Sequence, residues 1–330
     1  MPHLRILVTG GSGFVGRRLI KALCSRPEQP EIIVGIHRAA TFQHHSVRCT
    51  QIDVSDAAQV RSVIAAERPT HLFHLAGISH VANADIRRTW DVNFGGSLNV
   101  AIAVKELAPS CRLLCCTSAE IYGDSFRLGE PIDEDADLDP INAYGASKAA
   151  SDFLIGQMAK QGLKAIRLRP FNHIGPGQSE AFVVPSFAAQ IARIESGHKP
   201  PVLRVGRLTM RRDFLDVRDV VDAYVRAILR FDQLPAGCAL NIASGKSVAV
   251  EDILKILVSL SESEIEVIVD SERLRRHECP VTVGNANRAR TLLDWAPRFE
   301  LFETLRLVLD WHRSRSVEGL KGDVAATGCL

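Results

Sequence analysis

The chain has 330 residues, 46% of them hydrophobic and 24% charged, which excludes a disordered or fibrous protein. Its 40 basic and 38 acidic side chains leave a formal charge of +2, without the one-signed field that a nucleic-acid binder needs. No apolar run approaches the roughly 18 residues that cross a bilayer, and no signal-peptide core precedes the first strand, so a cytoplasmic protein that binds neither nucleic acid nor membrane is expected.

Ile6-Leu7-Val8 is a short apolar run that breaks at a glycine cluster, after which Phe14, Val15, Leu19, Ile20 and Leu23 recur at helical spacing. The pattern predicts strand, turn and helix. The rhythm continues with strands at 32–34 and 47–52, a helix near 56–66, a strand at 71–75, a long helix at 85–107 and a strand at 112–117. A helix at 144–160 then feeds a strand at 165–168. Such alternation builds a parallel sheet. Beyond Arg169-Pro170 it decays into loops carrying Gly175, Pro176, Gly177, Pro185, Pro200 and Pro201, with one helix at 186–196, which suits a smaller ligand-holding lobe. The helix after Val217 and a strand at 239–242 are expected to rejoin the sheet, and the segment from 316 to 330 to be a flexible tail. The 8 cysteines form no C-x-x-C pair and read as reduced structural thiols, with no metal site.

Thr9-Gly10-Gly11-Ser12-Gly13-Phe14-Val15-Gly16 sets glycines three apart between a strand and a helix. Gly10 permits the tight turn, Gly13 lets backbone approach a pyrophosphate, and Gly16 lets helix and strand pack closely. The expected fold is therefore α/β, a Rossmann-type doubly wound parallel sheet over 1–170, rejoined by about 213–244, with a smaller interleaved α/β lobe at 171–212 and 245–315. Where an NAD enzyme would carry an acid for the ribose, the second strand ends in His37-Arg38. A guanidinium there suits a 2′-phosphate and favours NADP(H), with NAD(H) still possible; Arg38 also reads as a solvated loop residue. Asp53 and Val54 end the third strand, where they could meet the adenine. Asp53 or Ser55 equally suits a helix cap.

Tyr144 and Lys148 stand four apart, on one face of a helix, where an ammonium can favour a phenolate. Spacing alone leaves chemistry and surface packing both open. Ser118 closes a buried strand at the end where such sheets bind ligands. Five motifs in order, the glycine turn, His74-Leu75-Ala76-Gly77, Asp91-Val92-Asn93, Thr117-Ser118-Ala119-Glu120-Ile121-Tyr122-Gly123 and Tyr144 with Lys148, resemble the extended short-chain dehydrogenases that act on nucleotide-activated sugars, across essentially the whole chain.

The resemblance implies Ser118, Tyr144 and Lys148 as a catalytic trio, Glu120 as a carboxylate near the sugar and Asn93 as a structural helix residue. It also implies cofactor contacts at Gly10, Gly13, Phe14, Val15, Gly16, Arg38, Asp53, Val54, Leu75, Ala76 and Gly77. A nucleotide-diphosphate sugar, GDP-linked, would meet Ser79, Asn172, Gln178, Val183, Arg207, Arg212, Arg275 and Glu278, with Arg212 and Arg275 on phosphate and Glu278 toward the ribose. Whether Arg275 or Arg276 meets phosphate stays open. Without the family, these arginines read as solvated charges.

Segments 169–179 and 205–219 look most like the branch that reduces GDP-4-keto-6-deoxy sugars, with GDP-mannose 4,6-dehydratases next and 4-epimerases behind them. Dehydratases pair the glutamate with a preceding Asp or Ser, where this chain has Ala119, so reduction is favoured. A non-catalytic dinucleotide sensor would be expected to lack Tyr144 or Lys148. The resemblance further implies a homodimer through the helices at 85–107 and 144–160, supported by Leu98, Ile102, Phe153, Leu154 and Met158.

Overall fold

The computed structural model describes residues 4–37, 47–79, 85–274 and 279–326, the side chains of 317–326 excepted. Thirteen strands alternate with helices: β1 (Arg5–Thr9), β2 (Glu31–Ile36), β3 (Val47–Gln51), β4 (His71–His74), β5 (Arg112–Cys116), β6 (Ala165–Pro170), β7 (Asn172–Ile174), β8 (Val202–Val205), β9 (Arg211–Asp216), β10 (Ala239–Ile242), β11 (Ser247–Ala249), β12 (Glu266–Val269) and β13 (Val281–Thr282). The helices are α1 (Phe14–Cys24), α2 (Ala57–Glu67), α3 (Ile86–Trp90), α4 (Gly96–Leu107), α5 (Ala143–Lys160), α6 (Val183–Glu195), α7 (Val217–Leu229), α8 (Val250–Ser259), α9 (Asn287–Leu293) and α10 (Leu301–Ala326).

Seven strands form one parallel sheet in the order β10-β6-β5-β4-β1-β2-β3. The order reverses beside β1, so the C-terminal ends of β1 and β4 open onto a crevice. Apolar strands such as Ile6-Leu7-Val8 and Ile32-Ile33-Val34 are buried on both faces. On one face Leu19, Ile20 and Leu23 of α1 pack with Val220 and Tyr224 of α7 and Leu293 of α9. On the other, Val60 and Ile64 of α2 meet Val100 and Val104 of α4 and Ile155 and Met158 of α5.

The smaller lobe has a core of its own, in which Val184, Phe187 and Ile191 of α6 pack with Ile253 and Leu257 of α8 and Leu305, Val308 and Leu309 of α10. Its sheet centres on β9, paired with β11, β13 and β7, while β8 and β12 pair separately. Residues 211–216 lie in this sheet, so the return to the large sheet starts at Val217 rather than at 213.

The helical stretch expected over 85–107 is present, with a π-helical turn, Asp91–Gly95, between α3 and α4, where Asn93 accepts from the Ile78 amide. Helix α6 begins at Val183 and takes in Pro185, which the first turn tolerates because the N–H it lacks has no intrahelical partner there. Helix α10 runs to Ala326. Met158 is 7% exposed and belongs to the core, so it is no dimer contact. Among the described residues no helix is long and apolar enough to cross a membrane.

Candidate active site

A cleft of about 1710 Å³ runs between the two lobes. Its walls carry Gly10, Gly13, Phe14, Val15, Gly16, Asp53, Val54, Leu75, Ala76, Gly77, Ser79, Ser118, Glu120, Tyr144, Lys148, Asn172, Gln178, Val183, Arg207 and Arg212. All the sequence-derived candidates that fall among the described residues are thus brought together. Arg38, Arg275, Arg276 and Glu278 lie outside the described residues.

At one end the turn after β1 is built for an anion. Gly10 has φ +69°, and a Cβ there would stand 2.7 Å from the Ala76 nitrogen. A Cβ on Gly16 would stand 2.5 Å from the Gly10 carbonyl oxygen, so only glycine lets α1 start this close to β1. Gly13 caps α1 without a side-chain bond, and the first turn carries no acid, which leaves amide donors facing the cleft. These features fit the diphosphate of a dinucleotide.

Along the same wall Asp53 accepts from the Ser55 amide at 2.9 Å and the Ser55 hydroxyl at 2.6 Å, bonds that hold its carboxyl below the ordinary value. Helix α2 is capped instead by Asp56, which accepts from Ala58 and Gln59. His37, at the end of β2, stands 3.5 Å from Asp53 Oδ2.

The floor is made by the end of β5 and the first turns of α5. Asn142 caps α5 by accepting from the Gly145 amide at 2.8 Å and also donates Nδ2 to Glu120 Oε2 at 3.2 Å. A Cβ on Gly145 would stand 2.5 Å from the Glu120 carbonyl oxygen, so its absence lets the helix start against the turn that carries Ser118 and Glu120. Tyr144 and Ser118 both line this floor, and Ser118 Oγ accepts from the Glu120 amide at 3.2 Å. One turn on, Lys148 is buried, with Nζ donating to the Cys116 carbonyl at 3.1 Å, and Gly77 leaves room beside it.

Burial pushes the Tyr144 phenol above its ordinary value, the nearby Ser118 hydroxyl opposes the rise, and Cys116 and Glu120 add to it.

Sequence reasoning passed over Asn142, whose residue type signals a helix cap and nothing about chemistry. It also passed over the polar seam beneath the floor. Asn93 Oδ1 accepts from the Ile78 amide at 2.8 Å, and its Nδ2 donates to Ser147 Oγ at 3.0 Å, linking the π turn to α5. Thr9 Oγ1 accepts from the Ala76 amide and stands 2.8 Å from His74 Nδ1, while His74 Nε2 faces Ser97 Oγ at 3.3 Å.

Burial, helped by the Lys148 charge, pushes the His74 imidazole from 6.5 down to about 3. The folded chain keeps it neutral while an unfolded chain takes up a proton below 6.5, so its stabilising contribution is present at neutral pH and is lost as the pH falls from 6.5 towards 3. From pH 7 to pH 5 that loss is up to about 2 kcal/mol. Urea unfolding of His74→Asn is expected to show a pH dependence smaller by that amount than wild type; an equal dependence would contradict the assignment. Glu134, Asp213 and Asp219, whose carboxyls burial raises, act in the opposite direction, but equally in both proteins.

The model of the NAD dependent epimerase/dehydratase family matches residues 6–243. GDP-6-deoxy-D-mannose reductase of Pseudomonas aeruginosa is 33% identical over 311 residues, 93% of this chain and 97% of that one. GDP-6-deoxy-D-talose 4-dehydrogenase of Aggregatibacter actinomycetemcomitans is 27% identical, over 96% and 99%. Among solved structures, RMD from Pseudomonas aeruginosa complexed with NADPH superposes with a TM-score of 0.81 at 31% identity, covering 95% of this chain and 100% of that one. With a dinucleotide turn, a tyrosine and, one helical turn on, a buried lysine in one cleft, the chain belongs to the NAD-dependent epimerase/dehydratase family, whose NAD(P)-dependent enzymes act on nucleotide sugars.

Proposed function

We propose that the chain reduces the C4 ketone of GDP-4-keto-6-deoxy-D-mannose with NADPH, giving GDP-D-rhamnose or its 4-epimer. The observation that carries this reading is the cleft floor, where Ser118, Tyr144 and the buried Lys148 lie together and Ala119 leaves Glu120 without a polar neighbour in the chain. A reduction needs a proton donor at the carbonyl oxygen, whereas an oxidation of a sugar hydroxyl needs a base. The Pseudomonas aeruginosa relative named for GDP-6-deoxy-D-mannose reduction supports the same choice.

In this account Ser118 donates to the C4 oxygen and orients it, and Tyr144 gives its proton to that oxygen as negative charge develops there. Lys148, held by the Cys116 carbonyl one helical turn from Tyr144, would hold the cofactor's ribose and supply positive charge there. The bound nicotinamide cofactor supplies the hydride. Glu120 steadies the sugar. Its neighbour Ala119 is 9% exposed and offers no polar group, which counts against elimination of water as the main reaction. Glu120 itself, held by Asn142, is what a 4,6-dehydratase would use, and GDP-mannose dehydration is the second reading. Proton NMR of the product formed from the keto sugar and NADPH tests the proposal: a 6-deoxyhexose with a new C4 hydrogen is expected, and unreacted keto sugar would refute it.

Preference for NADPH rests on Arg38 following His37 where no acid stands, and on the NADPH-bound Pseudomonas aeruginosa structure. Arg38→Ala is expected to weaken NADPH by roughly 10-fold or more without affecting NADH. Wild type that uses NADH equally well would contradict the preference.

The proposed homodimer would pair α4 and α5 with their symmetry mates, where Phe153 is 64% exposed and Ile102 36%. Light scattering at micromolar concentration is expected to give twice the chain mass, and a monomer would refute it.

A further inference from the structure

Asn142 stands two residues before Tyr144, half-buried on the wall of the cleft, as Glu120 is. Its Oδ1 accepts from the Gly145 amide at 2.8 Å as the cap of α5, and its Nδ2 donates to Glu120 Oε2 at 3.2 Å. Each bond fixes the other, because turning the amide over would set an NH2 against an N–H and an oxygen against a carboxylate oxygen. The cap uses only half of this side chain. Serine or aspartate would close the first turn of α5 about as well, with no amide donor left over. The other half goes to the carboxylate, which no other donor reaches among the described residues.

An ionised carboxylate only accepts, so Glu120 suits a ligand group that donates, as a sugar hydroxyl does and a phosphate or ketone oxygen does not. Left alone, the side chain would turn into the water of the open cleft, and ordering it on binding would weaken affinity. Asn142 removes that freedom. The Glu120 amide meanwhile donates to Ser118 Oγ at 3.2 Å, and the Glu120 carbonyl lies against Gly145. One side chain thus ties the turn that carries Ser118 and Glu120 to the helix that carries Tyr144. We propose that Asn142 is a positioning residue, whose amide holds the Glu120 carboxylate where it accepts a hydrogen bond from a hydroxyl of the sugar. This rests on the proposal that the cleft takes a nucleotide sugar, and it is the same whether that sugar is reduced or dehydrated.

Isothermal titration with GDP-mannose and with NADPH, which involves no turnover, tests it on Asn142→Ser, Asn142→Asp and Glu120→Ala. Asn142→Ser keeps the cap and loses the donor. It is expected to bind GDP-mannose about fivefold more weakly or worse, with NADPH affinity within about twofold of wild type and an unfolding midpoint within about 2 °C. In the Glu120→Ala background the same substitution is expected to cost almost nothing further, because the group it acts through is gone. Asn142→Asp sets two carboxylates together, so it is expected to bind GDP-mannose more weakly still at about pH 7.5. It should recover towards wild type near about pH 5, where the pair shares one proton and the hydrogen bond re-forms. Tyr144 and Cys279, which also feel the Glu120 charge, are common to both proteins, as are the ligand phosphates, so the ratio of variant to wild-type affinity isolates the pair. Wild-type GDP-mannose affinity in Asn142→Ser, a full further loss in the Glu120→Ala background, a fall in stability with a matching loss of NADPH, or no recovery at low pH in Asn142→Asp would each overturn the proposal. Wild type that binds UDP-glucose and not GDP-mannose would refute the choice of a GDP sugar instead, and the variants are then judged by the same titrations with UDP-glucose.

Discussion

Tyr144→Phe is expected to lower turnover by roughly 10²-fold or more while leaving NADPH and nucleotide-sugar affinities near wild type. The substitution removes one oxygen from a ring whose place in the first turn of α5 is set by the Asn142 cap and by the close approach at Gly145, neither of which involves that oxygen. What is lost is the proton donor. The ketone can still bind, and Ser118 can still meet its oxygen, so a small residual rate remains. Steady-state kinetics and titration of each ligand check this. A variant with near wild-type turnover would remove Tyr144 from the chemistry, and one that no longer binds the cofactor would make its role structural.

Asp152→Ala is expected to destabilise the fold by about 3–5 kcal/mol, the cost of breaking a buried ion cluster. Asp152 lies on α5 one turn beyond Lys148 and is fully buried. It accepts from Arg169 Nε at 2.9 Å and Arg169 NH2 at 2.7 Å, from Arg167 at 2.6 Å and from Thr117 Oγ1 at 3.2 Å. Removing the carboxylate leaves the Arg169 guanidinium, itself 3% exposed, without a counter-charge. The same bonds tie α5 to β6 and to the residue before Ser118, so the surviving folded fraction should also turn over more slowly. Urea denaturation gives the first quantity. A loss below about 1 kcal/mol would mean that solvent reaches the cluster and screens it.

Much of the large sheet was legible because its strands are continuous apolar runs and its first turn needs glycine at Gly10 and Gly16, where a side chain would meet backbone. The smaller lobe was not. Strand β9 reads Arg-Arg-Asp-Phe-Leu-Asp, and its buried Asp213 accepts from the amides of Ser244, Gly245 and Gly284, so charge conceals a core strand. The π turn at Asp91–Gly95 escaped because helical periodicity continues across it. In the site, spacing and position offered Tyr144, Lys148 and Ser118 as candidates and the family resemblance named them a trio, whereas Asn142, which ties Glu120 to the start of α5, carried no signal beyond that of a helix cap.

The central claim is that the cleft reduces a keto sugar, and paired assays on the wild-type enzyme test it most directly. Oxidation of NADPH is followed on addition of GDP-4-keto-6-deoxy-D-mannose, and loss of water is followed on addition of GDP-mannose with NADP. The account predicts rapid NADPH oxidation in the first and no product in the second. Water lost from GDP-mannose, with NADPH untouched by the keto sugar, would contradict it.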